Sequence, residues 1–162
     1  MRLYKERNEV NILGIGPLLA LVGGGTFAIV VAMQRALGYE ISLASPWREM
    51  LQVLGVVLSA IGLYFWLSSA LLVKRAFQSH RLETTGVYRL CRNPLYAAFI
   101  VFIVPGLSFL LNNLLLLTAS IMMFVAFKLR IGKEEDFLLK EFGADYQQYA
   151  RGVAQLIPFV KL

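Results

Sequence analysis

The chain predicts an all-α, polytopic membrane protein with about four transmembrane helices and a cytoplasmic C-terminal amphipathic helix. Three observations carry that fold class. Of 162 residues, 58% are hydrophobic, and the mean hydropathy is +0.65, too apolar for an ordinary soluble domain of this size. Three runs hold no Asp, Glu, Lys or Arg, namely Val10–Gln34, Met50–Val73 and Pro94–Phe127, and each exceeds the ~18 uncharged residues that mark a membrane span. Finally, of the 16 Lys and Arg residues, all but Arg35 and Arg48 fall on one side of a four-span chain.

The elements follow in order, within a single membrane domain covering 1–162. Residues 1–9 form a short charged tail, read as one helical turn lying on the membrane. Span one, residues 11–34, is too long for the apolar part of a cleaved signal peptide and is expected to stay. Within it Ala20, Gly24, Ala28 and Ala32 recur every four residues, a ridge suited to close helix contact. Residues 36–49 are the outer loop, with Tyr39 and Trp47 as interfacial aromatics. Span two, residues 50–73, offers Gly55, Ser59 and Gly62 as small packing positions. Its aromatics Tyr64, Phe65 and Trp66 are read as facing lipid or the core.

The third uncharged run is about 34 residues long, roughly 51 Å as one helix against a hydrocarbon core of ~30 Å. Asn112 and Asn113 lie at its centre and predict a tight hairpin of two spans, 94–111 and 114–131. Each is about 27 Å long, barely enough to cross, so the pair either spans or re-enters. Pro105-Gly106 predicts a kink in the first of them. After span four, the sequence from Gly132 predicts an amphipathic helix with Phe137, Leu138 and Phe142 on one face and Gly143 as its stop. A shorter helical piece follows from about Asp145, carrying Tyr146 and Tyr149 ahead of Pro158.

The charge distribution orients the chain. By the positive-inside rule both termini and the loop 74–93 lie in the cytoplasm. The net charge of +6 is thereby explained by membrane anchoring, with no nucleic acid as partner. A single cysteine, Cys91, excludes an internal disulfide, and a single histidine, His80, weighs further against a metal site.

The chemistry concentrates in one polar stretch, Thr84 to Tyr96, between two uncharged runs. Gly86 is a turn residue. Asn93 followed by Pro94 reads as an N-cap and a first helical position, because proline lacks the amide that would be unpaired there. The helix then aims its free amides and positive dipole end at this stretch. A hairpin of spans three and four brings residues 80–96 and 130–149 together. Arg130 and Glu134 are four apart and share a helical face. That spacing fits an exposed ion pair worth well under ~1 kcal/mol, and it equally fits an acid and a base facing a ligand. His80 is likewise open between a solvated interfacial residue and a ligand contact.

The motifs Thr84-Thr85-Gly86-Val87-Tyr88, Arg92-Asn93-Pro94-Leu95-Tyr96, Glu134-Glu135, Phe142-Gly143, Tyr146, Tyr149 and Pro158-Phe159 resemble the isoprenylcysteine carboxyl methyltransferase family. That family is related to the phospholipid N-methyltransferases. The resemblance covers about residues 78–161 and nothing distinctive in spans one and two. It implies an S-adenosylmethionine-dependent methyltransferase, with cofactor contacts from His80, Arg81, Leu82, Glu83, Tyr88, Asn93, Pro94, Leu95, Tyr96 and Glu134. It also implies that Arg130 faces the methyl acceptor, so Arg130 and Glu134 carry the catalytic roles. Members usually have Arg-His-Pro where this chain has Arg92-Asn93-Pro94, and asparagine cannot carry a proton. The implied acceptor is a lipid-linked or amphiphilic molecule, foremost an isoprenylcysteine-like carboxylate. The alternatives are a phospholipid amino headgroup and a non-catalytic protein binding a lipid or partner.

Overall fold

A computed structural model describes residues 14–38, 43–79 and 81–160. The expectations for the tail 1–9, for the start of span one at residue 11, for Tyr39 and for His80 lie outside the described residues. Four helices dominate: α1 (Gly16–Leu37), α2 (Trp47–Ser79), α3 (Pro94–Leu110) and α4 (Leu117–Gly152). Helices α1, α2 and α4 are long and apolar enough to cross a membrane, and α3 is a shorter apolar helix. Among the described residues there is no strand; one isolated parallel bridge joins Cys91 to Ala154. The α3–α4 hairpin is central, with α2 packed on α3 and α1 packed on α4.

Helix α3 is irregular for a reason visible in its sequence. Residues Ala98–Ile103 take a π-helical course, and the Val104 amide donates to Phe99 O, five residues back. Pro105 supplies no amide of its own, so the preceding ladder must shift register. The expected kink at Pro105-Gly106 is therefore spread over the turn before it. Glycines and small residues let α2 meet this widened turn. A Cβ on Gly55 would lie 2.7 Å from Gly106 O, and one on Gly62 would lie 3.0 Å from Ala98 O. The packing role predicted for Gly55, Ser59 and Gly62 is what the structure has. Phe65 is buried at their end, while Tyr64 and Trp66 face outward.

Two expectations are corrected. The ridge Ala20, Gly24, Ala28, Ala32 is exposed, and its Ala20 and Gly24 line an open groove toward α3 rather than a close helix contact. The contact face of α1 lies to one side of it, at Leu19, Gly23, Thr26, Val30 and Gln34, where Gly23 meets the Met123 thioether. Small residues spaced by four mark a smooth face, not necessarily a packed one, and here the packed face carries Gly23 among larger residues. The second correction concerns α4. It does not stop at residue 131 to restart as a separate amphipathic helix. It runs on to Gly152 with one non-helical residue, Gly143 (φ 54°, ψ −124°). Gly132 costs such a helix only ~1 kcal/mol relative to alanine, whereas Gly143, at positive φ, breaks it where the stop was expected, ahead of the shorter helical piece that carries Tyr146 and Tyr149.

The Asn112-Asn113 turn forms as predicted, with Asn112 at φ 49°. Both side chains also latch it. Asn113 and Gln34 exchange two side-chain hydrogen bonds (2.8 and 3.1 Å), and Asn112 does the same with the Leu43 backbone (3.0 and 3.1 Å). The hairpin tip is thus tied to the end of α1 and to the loop before α2.

A methyl at Gly106 would lie 2.5 Å from Ser59 Oγ and 3.0 Å from Gly55 O, while one at Gly25 meets nothing within 4 Å. Gly106→Ala is expected to lose about 1–3 kcal/mol by overpacking, and Gly25→Ala to be neutral or mildly stabilising. Unfolding titrations in detergent check both; equal effects would mean that the α2–α3 approach is not tight.

Candidate functional site

The site grows from the start of α3. Pro94 occupies the first helical position, as its fixed φ and missing amide favour, and Tyr96 follows within the first turn, buried. On α4 the buried stripe Met123, Phe127, Ile131 continues at helical spacing to Glu134. The Tyr96 and Phe127 rings meet edge to face at 5.8 Å, which sets the phenol at the level of that carboxylate. The Tyr96 hydroxyl lies 3.0 and 3.2 Å from the two oxygens of Glu134 and donates to the carboxylate. A third segment closes the group. The Ile15 amide, at the start of α1, donates to Glu134 Oε1 and lies 3.2 Å from the Tyr96 hydroxyl.

Next to it lies a second polar set. Arg92 and Glu135 form an ion pair at 3.2 Å, their side chains 15% and 24% exposed. Arg92 Nε is buried without a hydrogen-bond partner. Tyr149 donates to Tyr88 O at 2.6 Å, and the Tyr146 and Tyr149 rings lie 6.3 Å apart. The segment after α4 folds back over the loop before α3. The Arg92 amide donates to Ala154 O at 2.7 Å, Asn93 Nδ2 to Gln155 O at 2.9 Å, and Lys128 Nζ to Gln155 Oε1 at 2.8 Å. Leu156 beneath this strap is buried.

The two clusters, 80–96 and 130–149, are therefore brought together as expected. The structure joins Tyr96 and Glu134 directly; Asn93 and Pro94 stand at the start of the helix that carries Tyr96, and Tyr88 is held by Tyr149. Leu95 lies on the neighbouring groove wall. Arg81 is exposed, Leu82 is half-buried, and Glu83 turns back to accept from the amide (2.8 Å) and hydroxyl of Thr85. Arg130 is exposed and does not pair with Glu134. The ion pair read from their spacing is replaced by Arg92–Glu135, because Glu134 points into the bundle. Asn93 stands at the N-cap position but makes no side-chain cap bond. Its amide is drawn to the Gln155 carbonyl instead.

Gly14, Ile15 and Gln155 join the site without having been marked by the sequence. Ile15 contributes only its backbone, which no side-chain pattern reports. Burial pushes the Cys91 thiol up to about 12, and a backbone bond from Asn93 only partly opposes this. Cys91 is thus a protonated core residue at neutral pH, unsuited to attack. Burial, with the Glu83 charge as a smaller cause, also holds the Tyr88 phenol well above its ordinary range, so it stays a neutral donor.

An apolar groove of about 260 Å³ runs between α1 and α3, with Leu19, Gly23, Leu95, Phe99 and Val104 along it and Tyr96 at one end. A second apolar hollow continues it past Phe27 and Leu107. The Tyr96 phenol, bonded to Glu134, therefore stands at the wall of a hydrocarbon-lined groove.

A family model described as "Phospholipid methyltransferase" matches residues 47–145. The chain is similar to a rice protein named "Probable protein-S-isoprenylcysteine O-methyltransferase", 38% identical over 82 residues, 51% of this chain and 43% of that protein. It is similar to "Protein-S-isoprenylcysteine O-methyltransferase A" of Arabidopsis thaliana, 38% identical over 90 residues, 55% of this chain and 46% of that protein. A third relative is "Protein-S-isoprenylcysteine O-methyltransferase" of Schizosaccharomyces pombe, 32% identical over 93 residues, 57% of this chain and 39% of that protein. The match thus spans less than half the length of these curated relatives.

Asn93→Asp separates capping from strapping. Aspartate is as good an N-cap as asparagine, so a capping role predicts little change. An anchor to Gln155 O predicts a loss of about 1–3 kcal/mol, because two acceptors then face each other. Detergent unfolding midpoints decide it.

Proposed function

The chain belongs to the phospholipid methyltransferase family, and from that premise we propose that it is an S-adenosylmethionine-dependent methyltransferase of a lipid-linked or amphiphilic acceptor. The acceptor favoured is an isoprenylcysteine-like carboxylate, methylated on oxygen. The observation that carries this reading is the Tyr96–Glu134 pair at the wall of the apolar groove. A polar reacting end and a hydrocarbon tail are accommodated side by side there. The names of the relatives favour the carboxylate acceptor. The description of the family model keeps a phospholipid amino headgroup as the second reading.

The residues present fit the implied cofactor. Glu134 offers a carboxylate and Tyr88 and Tyr96 offer ring faces to a cationic group. Arg92 Nε is a buried donor with no hydrogen-bond partner, matched to a carboxylate end. When bound, S-adenosylmethionine supplies a methyl group on a sulfonium. What the chain supplies is alignment and exclusion of water, the main requirements of an in-line displacement. A carboxylate acceptor needs no base. Arg130, exposed one turn before Glu134, offers a guanidinium that can hold its two oxygens. An amine acceptor would have to lose a proton, with Glu134 or Glu135 as candidates. Loop residues Arg81, Leu82 and Glu83 complete the cofactor side in this reading, and His80 precedes them. The positive-inside count places the site and both termini in the cytoplasm.

Two outcomes are expected. Purified protein binds S-adenosylmethionine, and Glu134→Gln weakens binding at least tenfold, the scale of one hydrogen bond to a charged group. Membranes incubated with methyl-labelled cofactor acquire base-labile label. Absence of binding sinks the enzyme reading, and base-stable label moves the acceptor to an amine. For topology, cysteines introduced at Leu111 and Gln148, both exposed, are expected to react from opposite sides of sealed membranes.

A further inference from the structure

The carboxylate at the centre of the site has a neighbour that its own helix does not provide. The first amide of the Gly14–Ile15 turn donates to Glu134 Oε1, and the same amide lies 3.2 Å from the Tyr96 hydroxyl. Gly14 is held at φ +55°, and a Cβ there would overlap Glu134 Oε1 and come within 2.5 Å of the Tyr96 hydroxyl oxygen. Left-handed φ and the lack of space both demand glycine. The turn therefore presses backbone alone against the carboxylate. Oε1 is saturated by the amide and the phenol. Oε2 is met only by the phenol, at 3.2 Å, and keeps accepting capacity.

We propose that Gly14–Ile15 is a positioning element of the site: its amide fixes the rotation of the Glu134 carboxylate so that Oε2 is presented to the cationic part of the cofactor. This rests on the cofactor role of Glu134 given above. Span one thereby becomes part of the cofactor site, although among the described residues it contributes no polar side chain to it. An amide at the start of a helix suits this task, since it is left without an intrahelical partner and carries part of the dipole's positive end.

The test measures binding of S-adenosylmethionine to the full-length protein in detergent, for wild type, Ile15→Val, Ile15→Pro, Glu134→Gln and the Ile15→Pro/Glu134→Gln double variant. Proline removes the amide at a residue whose φ of −81° is close to the proline value. Valine keeps the amide and removes only a methylene. Ile15→Val is expected to bind within twofold of wild type and Ile15→Pro about tenfold more weakly, the scale of one hydrogen bond to a charged group. The double variant is expected to bind no more weakly than Glu134→Gln alone, because the amide acts through that carboxylate. A merely structural role for the turn would instead multiply the two losses. Gly14→Ala, which displaces the same two groups, is the second variant should Ile15→Pro not fold, with the same loss and the same non-additivity expected. Ile15→Pro and Gly14→Ala binding as wild type, or losses that multiply with Glu134→Gln, overturn the proposal while the cofactor role of Glu134 stands. Glu134→Gln binding as wild type overturns that role and this proposal with it.

Discussion

One carboxylate holds the architecture together at one end. Glu134 receives the Tyr96 hydroxyl from 38 residues away and the Ile15 amide from 119 residues away. Three of the four helices therefore converge on it, and each contact answers an unpaired group that the convergence itself creates. Taking a carboxylate out of water is expensive unless it is fully hydrogen-bonded. The start of α1 has an amide with no helical partner, and the Tyr96 phenol needs an acceptor once its ring is buried against Phe127. Bringing the three together gives each of them a partner.

The opposite end of the hairpin follows the same logic with neutral groups. Asn112 and Asn113 break the backbone ladder at the tip, and their side chains pair with the Leu43 backbone and Gln34. Between these two polar ends the bundle has only close packing to hold it, since lipid is as apolar as its side chains. Hence the glycines at 55, 62 and 106, and hence the position of the π-helical turn in α3. An unpaired carbonyl exposed to lipid would cost several kcal/mol, but here the widened turn lies against α2, whose missing side chains let the backbones approach.

The features legible in the sequence were those written in side-chain type and spacing. The uncharged runs announced the helices, Asn112-Asn113 the turn, Asn93-Pro94 the start of α3, and Gly55, Ser59 and Gly62 the α2–α3 contact. The motifs at 84–96 and 134–159 announced the family, and that resemblance is borne out. What stayed hidden was carried by backbone or by choice among equivalent partners. The Ile15 amide has no signature in residue identity. Glu134 and Glu135 are adjacent acids, and only the burial stripe of α4 decides which turns to the phenol and which to Arg92. The ridge of α1 misled because a spacing of small residues does not report which face is packed, and the contact face carries Leu19, Gly23 and Thr26. The continuity of α4 was obscured by Gly132, whose modest helix penalty is outweighed by Ile131 and Glu134, which fix the turns on either side.

Position 93 bears on the chemistry through this division between side chain and backbone. Relatives in the resembled family usually carry histidine there, a residue able to hold or pass a proton. In this chain Asn93 spends its amide donor on Gln155 O, drawing the C-terminal strap across Arg92. Cys91 beside it is a buried thiol that stays protonated, and Tyr88 a phenol that stays neutral. Neither Cys91 nor Tyr88 is therefore suited to take a proton at neutral pH. A reaction that begins with a neutral or cationic nucleophile would have to find its base across the site, at Glu134 or Glu135, each already engaged as an acceptor. An acceptor that arrives as an anion has no such need. It requires a cation to hold it and a dry place to react, and the exposed Arg130 and the hydrocarbon-lined groove are of that kind. The loss of histidine at position 93 therefore argues for oxygen of a carboxylate over nitrogen of an amine.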